Sequence, residues 1–308
     1  MRVAAVDLGT NSTRLLVADV SGERLDEVAR RLTITRLGEG VDARRRLLPL
    51  PIARVRNCLT DYRRELESLG AERTLAVGTS AFRDAENGEA FLGEIEWSYG
   101  FATRLLSGSE EAAMTFAGVS AGRFLDTGTL IFDVGGGSTE LITSEDAHLS
   151  LDIGCVRSTE RFLRSDPPTP IELDRLAHEV RELLEDSAHY EVAGAIGVAG
   201  TVTALAGLDL GLIEWDPEAI HGHRMTADAV ERQLERLAAL PLVERREVPG
   251  LEPGRAPVIV AGAVILLEIL RRYDLAGLDA SEHDLLHGAV LEAAVLPESA
   301  AAHPHACC

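Results

Sequence analysis

The sequence predicts an α/β protein made of two related domains, and three observations carry that prediction. The first twenty residues read as a strand–turn–strand hairpin, with an apolar run Val3-Ala4-Ala5-Val6 and a second run Leu15-Leu16-Val17-Ala18 enclosing the polar turn Asp7-Leu8-Gly9-Thr10-Asn11-Ser12-Thr13. The pattern starts again at Thr129, where Leu130-Ile131-Phe132 leads through Asp133-Val134-Gly135-Gly136-Gly137-Ser138-Thr139-Glu140 into Leu141-Ile142-Thr143. Laid on each other, Asp7 aligns with Asp133, Gly9 with Gly135, Ser12 with Ser138, Thr13 with Thr139 and Leu15 with Leu141, at an offset of 126 residues throughout. Around both hairpins, strand-like runs alternate with helical stretches. A repeat of that length carries its own strands and helices, so it signals duplicated domains facing each other and not a solenoid, whose periods run from about 20 to 50 residues.

The remaining elements follow in order. A third extended stretch runs to Arg36, and a helix is expected from Pro51 to Leu69, closed by Gly70 as a left-handed cap. A buried strand from Thr74 to Val77 leads into Thr79 and Ser80, either of which can cap the helix that follows. Helices are expected at Ala90–Tyr99 and Ser109–Ala121, the second with Glu110 and Glu111 in its first turn, where the helix dipole favours them. The second half is expected to supply a helix Ile171–Ser187, a strand Ala195–Ala199 and a turn Gly200-Thr201-Val202-Thr203. Helices near Thr226–Ala238, Ala256–Arg272 and Glu282–Leu296 complete it, with an unstructured tail from Ala301 to Cys308. The expected domains are 1–122 and 123–300, the last helix being able to pack on the first domain.

Composition narrows the function. Fifty acidic against thirty basic residues give a net charge of −20, which argues against nucleic-acid or anionic-membrane partners. There is no lysine, so every basic residue is arginine; Walker A loops and pyridoxal Schiff-base chemistry are thereby excluded. The longest apolar run, Pro257 to Leu267, meets Glu268 well short of the roughly 20 residues a membrane span needs. No signal pattern opens the chain, and the four cysteines form no CxxC pair, so a reducing cytoplasmic location is expected.

The two glycine-rich turns carry the chemistry. Glycines let backbone N–H groups converge, hydroxyls add donors, and the result is a nest for phosphate oxygens. Asp7 and Asp133 stand at the strand ends, where a carboxylate can hold a divalent cation or its water. Two copies in register, each repeating Asp, Gly, Ser and Thr, point to phosphate binding far more strongly than one. These two turns resemble the phosphate loops of the exopolyphosphatase and guanosine pentaphosphate phosphatase family, which belongs to the superfamily of actin, sugar kinases and heat-shock chaperone ATPases. Further matches follow in order: Thr79–Asn87, Ser107–Ala112, Ser150–Phe162, Gly200–Thr203 and Gly250–Gly262, so that the resemblance spans nearly the whole chain. The length is similar to that of the short, two-domain members.

The resemblance implies a fold of two ribonuclease H-like (actin-like ATPase) domains around a central phosphate-binding cleft. It implies that Glu111 is the catalytic base that activates water, and that Asp133, Glu140 and Asp7 bind Mg²⁺, with Mn²⁺ as a substitute. Gly9, Thr10, Asn11, Ser12, Gly135, Gly136, Gly137, Ser138, Thr139, Gly200 and Thr201 would cradle phosphate, with Arg83 and Arg255 reaching substrate phosphates as bidentate forks. The leading expectation is an exopolyphosphatase acting on inorganic polyphosphate, with a homodimer as the candidate assembly. The alternatives are removal of the 5′ γ-phosphate of guanosine pentaphosphate, a sugar-kinase-like phosphotransferase, and an inactive phosphonucleotide sensor. Arg157 is expected either to pair with Glu160 or to fix its loop. Glu110 reads as surface, His221-Gly222-His223 as a loop, and His283 with His287 as a pair on a helix surface. The family's arginine and glutamate before the glycine of the last helix are replaced by Leu286-His287-Gly288.

Overall fold

The computed structural model describes residues 1–22, 24–122, 124–143, 148–185 and 191–297. The chain divides into two compact units, one comprising Met1–Arg123 with the C-terminal stretch from Leu285, the other Phe124–Asp284. The tail expected to be unstructured lies outside the described residues.

In the first unit the order is β1 (Arg2–Leu8), β2 (Thr13–Ser21), β3 (Arg24–Thr33), α1 (Val41–Arg44), α2 (Pro49–Leu69), β4 (Arg73–Gly78), α3 (Ser80–Asp84), α4 (Gly88–Tyr99), β5 (Ala102–Leu105) and α5 (Gly108–Ser120). The second unit holds β6 (Thr129–Val134), β7 (Thr139–Thr143), β8 (His148–Leu151), α6 (Cys155–Phe162), α7 (Pro170–Glu185), β9 (Gly194–Val198) and α8 (Ala199–Asp209). It continues with α9 (Pro217–Ile220), β10 (Arg224–Thr226), α10 (Ala227–Ala238), α11 (Leu242–Arg245), α12 (Ile259–Arg272) and β11 (Gly277–Ala280), after which α13 (Leu285–Val295) returns to the first unit.

The duplication is visible in the sheets. The first runs β3-β2-β1-β4-β5; the second, read from its other edge, runs β8-β7-β6-β9-β11 and adds β10. In each, two antiparallel pairings from the hairpin strands are followed by parallel pairings to strands that come later. A parallel neighbour needs a covered sheet on both faces, and β1 reads accordingly as an unbroken apolar run. Ala4, Val6, Leu8, Leu15 and Val17 pack with residues of α2 and α4, while Val3, Ala5, Leu16 and Ala18 pack with Met114 of α5 and with Leu285, Leu286, Ala289, Val290 and Ala293 of α13. The last helix is therefore part of the first unit's core.

Several expectations need correction. The stretch Gly200–Thr203 is not a turn but the first turn of α8, because Ala199 takes a left-handed φ of 66° and lets the chain pass from β9 directly into helix. The segment from Ala256 to Val258 is turn, and α12 begins at Ile259. Gly277–Ala280, which carries glycine and aspartate and so reads poorly as strand, pairs in parallel with β9. Helix α13 starts at Leu285 and not Glu282. Thr79 stands at the N-cap of α3 without a side-chain capping bond. His287 is not on a surface: it is 1% exposed, its Nε2 lying 3.0 Å from Glu27 Oε1 and 3.2 Å from Arg30 Nη2. Burial works against the Glu27 charge, but the bonds from His287 and Arg30 outweigh it and hold the carboxyl down to about 2. His283 precedes the helix, its N–H donating to Ser281 Oγ at 3.1 Å.

Helices α13 and α5 touch where Gly288 lies against the Met114 carbonyl, a contact with no room for a methyl group. Gly288→Ala is expected to lower the stability of the chain by about 1–3 kcal/mol through overpacking. Chemical denaturation checks this; an unchanged midpoint would show that the contact yields without cost.

Candidate active site

Each unit presents one glycine-rich loop, and both loops are held from behind. In the first, the Gly9 N–H donates to the Ser12 carbonyl at 3.0 Å, closing the turn between β1 and β2. The carbonyls of Thr10 and Asn11 accept from the N–H groups of Gly38 and Arg36, each at 2.8 Å. In a trans peptide the C=O and the next N–H point in opposite directions. The N–H groups of Asn11 and Ser12 are therefore turned away from the 36–38 segment. Thr13 Oγ1 bonds Thr35 Oγ1 at 2.9 Å, fixing the same segment to the start of β2. Asn11 Oδ1 is buried with no hydrogen-bond partner among the described residues, an acceptor the loop leaves unused.

Helix α5 carries Glu111 in the first unit. Its N-terminus is fixed by a capping box, in which the Glu110 N–H donates to Ser107 Oγ at 3.2 Å and the Ser107 N–H donates to Glu110 Oε2 at 2.8 Å. Glu110 is thus a working cap and not only dipole-favoured surface. The bond from Arg104, and then those from Ser107, hold its carboxyl down to about 2. Glu111 is 7% exposed, and Arg83 Nη1 donates to its Oε2 at 2.6 Å and to the Leu106 carbonyl at 2.8 Å. Burial pushes the Glu111 pKa up; Arg83 and Arg14 pull against it and Asp7 adds to it. The arginine expected to reach a substrate phosphate is here paired with the carboxylate expected to be the base.

In the second unit the loop Gly135–Thr139 closes through the Gly135 N–H to the Ser138 carbonyl at 3.1 Å, and Thr139 Oγ1 donates to the Ile153 carbonyl at 2.6 Å. Arg157, which sequence reasoning left between two roles, is buried and its Nε donates to the Gly137 carbonyl at 2.6 Å. Gly200 and Thr201 stand in the first turn of α8, and the Arg255 guanidinium lies over Gly200. Burial pushes the nearby Cys155 thiol up to about 11, against the pull of Arg255 and Thr201, so it is no thiolate nucleophile. The rings of His221 and His283 lie tilted by 35° with centroids 4.6 Å apart, and His223 Nε2 lies 2.8 Å from Asp209.

The carboxylates at the strand ends separate the two loops. Asp7 stands directly across from Arg14 in the β1–β2 register, and Arg14 Nη2 lies 2.7 Å from its Oδ2. At the repeat-related positions Asp133 stands directly across from Glu140. Directly opposed residues point to the same face of a sheet, and like charges there repel. Asp133 is 6% exposed and Glu140 fully buried, with Ser150 Oγ donating to Glu140 Oε1 at 2.9 Å. Two carboxylates side by side form a set of hard oxygen donors, the chemistry that fits Mg²⁺ or Mn²⁺. Sequence reasoning named Asp7 beside these two, and in this structure Asp7 is paired with Arg14. Arg14 and Glu140 are separated by the same offset as the two loops.

Arg14→Gln is expected to destabilise the chain by roughly 3 kcal/mol or more, because it strands the Asp7 charge in the interior. Adding Asp7→Asn recovers most of that loss if the pair acts as a unit; urea titrations of the single and double variants read it directly. Additive losses would show two independent contributions.

The model of the Ppx/GppA phosphatase family matches residues 16–295. Exopolyphosphatase 2 of Mycobacterium tuberculosis is 41% identical, over 95% of this chain and 98% of that protein. The guanosine-5′-triphosphate,3′-diphosphate pyrophosphatase of Photobacterium profundum is 28% identical, over 94% of this chain and 58% of that protein. The crystal structure of the Aquifex aeolicus member of the Ppx/GppA family superposes with a TM-score of 0.80 at 30% identity, covering 95% of this chain and 97% of that one. With the family match running from the first hairpin to the last helix, the chain belongs to the Ppx/GppA phosphatase family.

Proposed function

We propose that this chain is an exopolyphosphatase that releases terminal orthophosphate from inorganic polyphosphate by direct attack of water. The observation that carries the reading is Glu111, a buried carboxylate at a helix start, paired with Arg83 in the unit that carries the first phosphate loop. Burial raises its proton affinity while Arg83 keeps that rise in check, the balance a general base needs. Glu111 takes a proton from water as the water oxygen bonds to the terminal phosphorus. The bridging P–O bond breaks, and the shortened chain leaves as an oxyanion. Backbone N–H groups of the loops and the guanidinium of Arg83 meet the charge on the phosphoryl oxygens. Asp133 and Glu140 would hold Mg²⁺, which when bound supplies charge neutralisation at the phosphoryl group.

The choice of polyphosphate follows the exopolyphosphatase at 41% identity. Guanosine pentaphosphate is the second reading, favoured by the 28% identical pyrophosphatase, since both substrates offer the same anhydride. A net charge of −20 with no lysine favours a short chain, or one held by its end, over a long threaded polymer. Among the described residues no helix is long and apolar enough to cross a membrane.

Orthophosphate release from short and long polyphosphate, guanosine pentaphosphate and ATP, with Mg²⁺ and with chelator, tests the reading. Mg²⁺-dependent release from polyphosphate is expected; release from guanosine pentaphosphate alone would replace the first reading with the second. Glu111→Gln should cut turnover by roughly 10² to 10⁴ while substrate still binds. Because burial raises the Glu111 pKa, the acid limb of the wild-type rate should lie above the ordinary glutamate value of about 4.3. Removing the guanidinium in Arg83→Gln removes a group that lowers that pKa, so the limb should move to higher pH. A limb that stays put in that variant would detach it from Glu111.

A further inference from the structure

We propose that Arg157 is a positioning residue for the second phosphate loop, aiming the Ser138 N–H at the phosphoryl group without touching substrate itself. The inference rests on the reading that this loop receives the transferred phosphate. Three successive carbonyls of the loop are bonded from the same side by the start of α6. The Cys155 N–H donates to Gly135 O at 2.9 Å, and the N–H groups of Val156 and Arg157 donate to Gly136 O at 2.8 and 3.2 Å. The third carbonyl, Gly137 O, accepts from the side chain of Arg157 through Nε at 2.6 Å. Each peptide plane carries its carbonyl and the following N–H on opposite sides. Fixing the three carbonyls toward α6 therefore turns the N–H groups of Gly136, Gly137 and Ser138 the other way, as a nest for an anion.

Close packing leaves this arrangement no slack, since a Cβ at Gly154 would stand 2.5 Å from both the carbonyl carbon of Gly136 and the nitrogen of Gly137. The first two planes are locked by backbone, which substitution cannot remove. The third depends on one side chain. Arg157 is 6% exposed, so a positive charge also stands behind the loop, where it favours the anion through the peptide. A guanidinium suits the task because Nε–H lies in a fixed plane, whereas an ammonium on a flexible stem does not define a direction.

The test is steady-state kinetics of Arg157→Ala on polyphosphate, with a melting curve for each variant. The expected result is a fall in kcat of about 10² with KM changed less than about threefold, the loss typical of one misdirected donor in the transition state. Added methylguanidinium should restore at least tenfold of it by refilling the site behind Gly137. A wild-type kcat, or a loss that methylguanidinium does not relieve, overturns the proposal, because a merely structural role predicts no chemical rescue. Should the alanine variant fail to fold, Arg157→Lys is read instead. A lower kcat at unchanged KM and melting temperature then supports the proposal, and a wild-type kcat overturns it. A wild-type chain that releases no orthophosphate removes the hydrolase reading itself, and this inference with it, before any variant is compared.

Discussion

Each hairpin carries a buried carboxylate one residue before the end of its first strand, and the arrangement of each unit depends on what meets that charge. A carboxylate that is almost fully buried must be paired or lose its charge. In the first unit the cross-strand neighbour of Asp7 is Arg14, and the two form an ion pair within the sheet. In the second the cross-strand neighbour of Asp133 is Glu140, which doubles the charge in place of cancelling it. Duplication thus preserved the scaffold while the two copies came to differ in the residue set across from the aspartate, an arginine in one and a glutamate in the other.

Around these carboxylates both loops use the same backbone device. Segment 36–38 holds the carbonyls of Thr10 and Asn11, and the start of α6 with Arg157 holds those of Gly135, Gly136 and Gly137. The direction of the loop N–H groups is therefore set by bonds on the far side of the loop, made by residues a glycine-rich motif does not contain. Glu111 is placed by a comparable indirection. The capping box of Ser107 and Glu110 fixes the helix start and Arg83 holds the Glu111 carboxylate, while burial of Glu111 and the bond from Arg104 to Glu110 shift the proton affinities of these two neighbours in opposite directions.

Much of this was legible in the sequence. The hairpins were, because apolar runs flanking glycine, serine and threonine turns have few other readings, and so was their repetition. The mixed fold and its recognised family followed from motifs that run the length of the chain. Other features were not legible, for identifiable reasons. Gly200 and Thr201 read as a turn because glycine and threonine favour turns, yet a left-handed Ala199 makes them a helix start. Strand β11 is carried by its parallel neighbour and not by its own residues. His287 read as surface because spacing to His283 suggested a shared helix face, whereas the helix begins between them and buries His287 against Glu27 and Arg30. The contrast of Arg14 with Glu140 was present at the repeat offset, but its meaning needed the strand register that sets each across from an aspartate.

The central proposal is that the paired carboxylates of the second loop, Asp133 and Glu140, hold a divalent cation. Isothermal titration of the apo chain with Mg²⁺, and with Mn²⁺ in parallel, tests it most directly, because it reads binding and not turnover. The account predicts one site per chain, lost in Glu140→Gln and kept in Asp7→Asn. Two equivalent sites, or a site that survives Glu140→Gln and vanishes with Asp7→Asn, would contradict it.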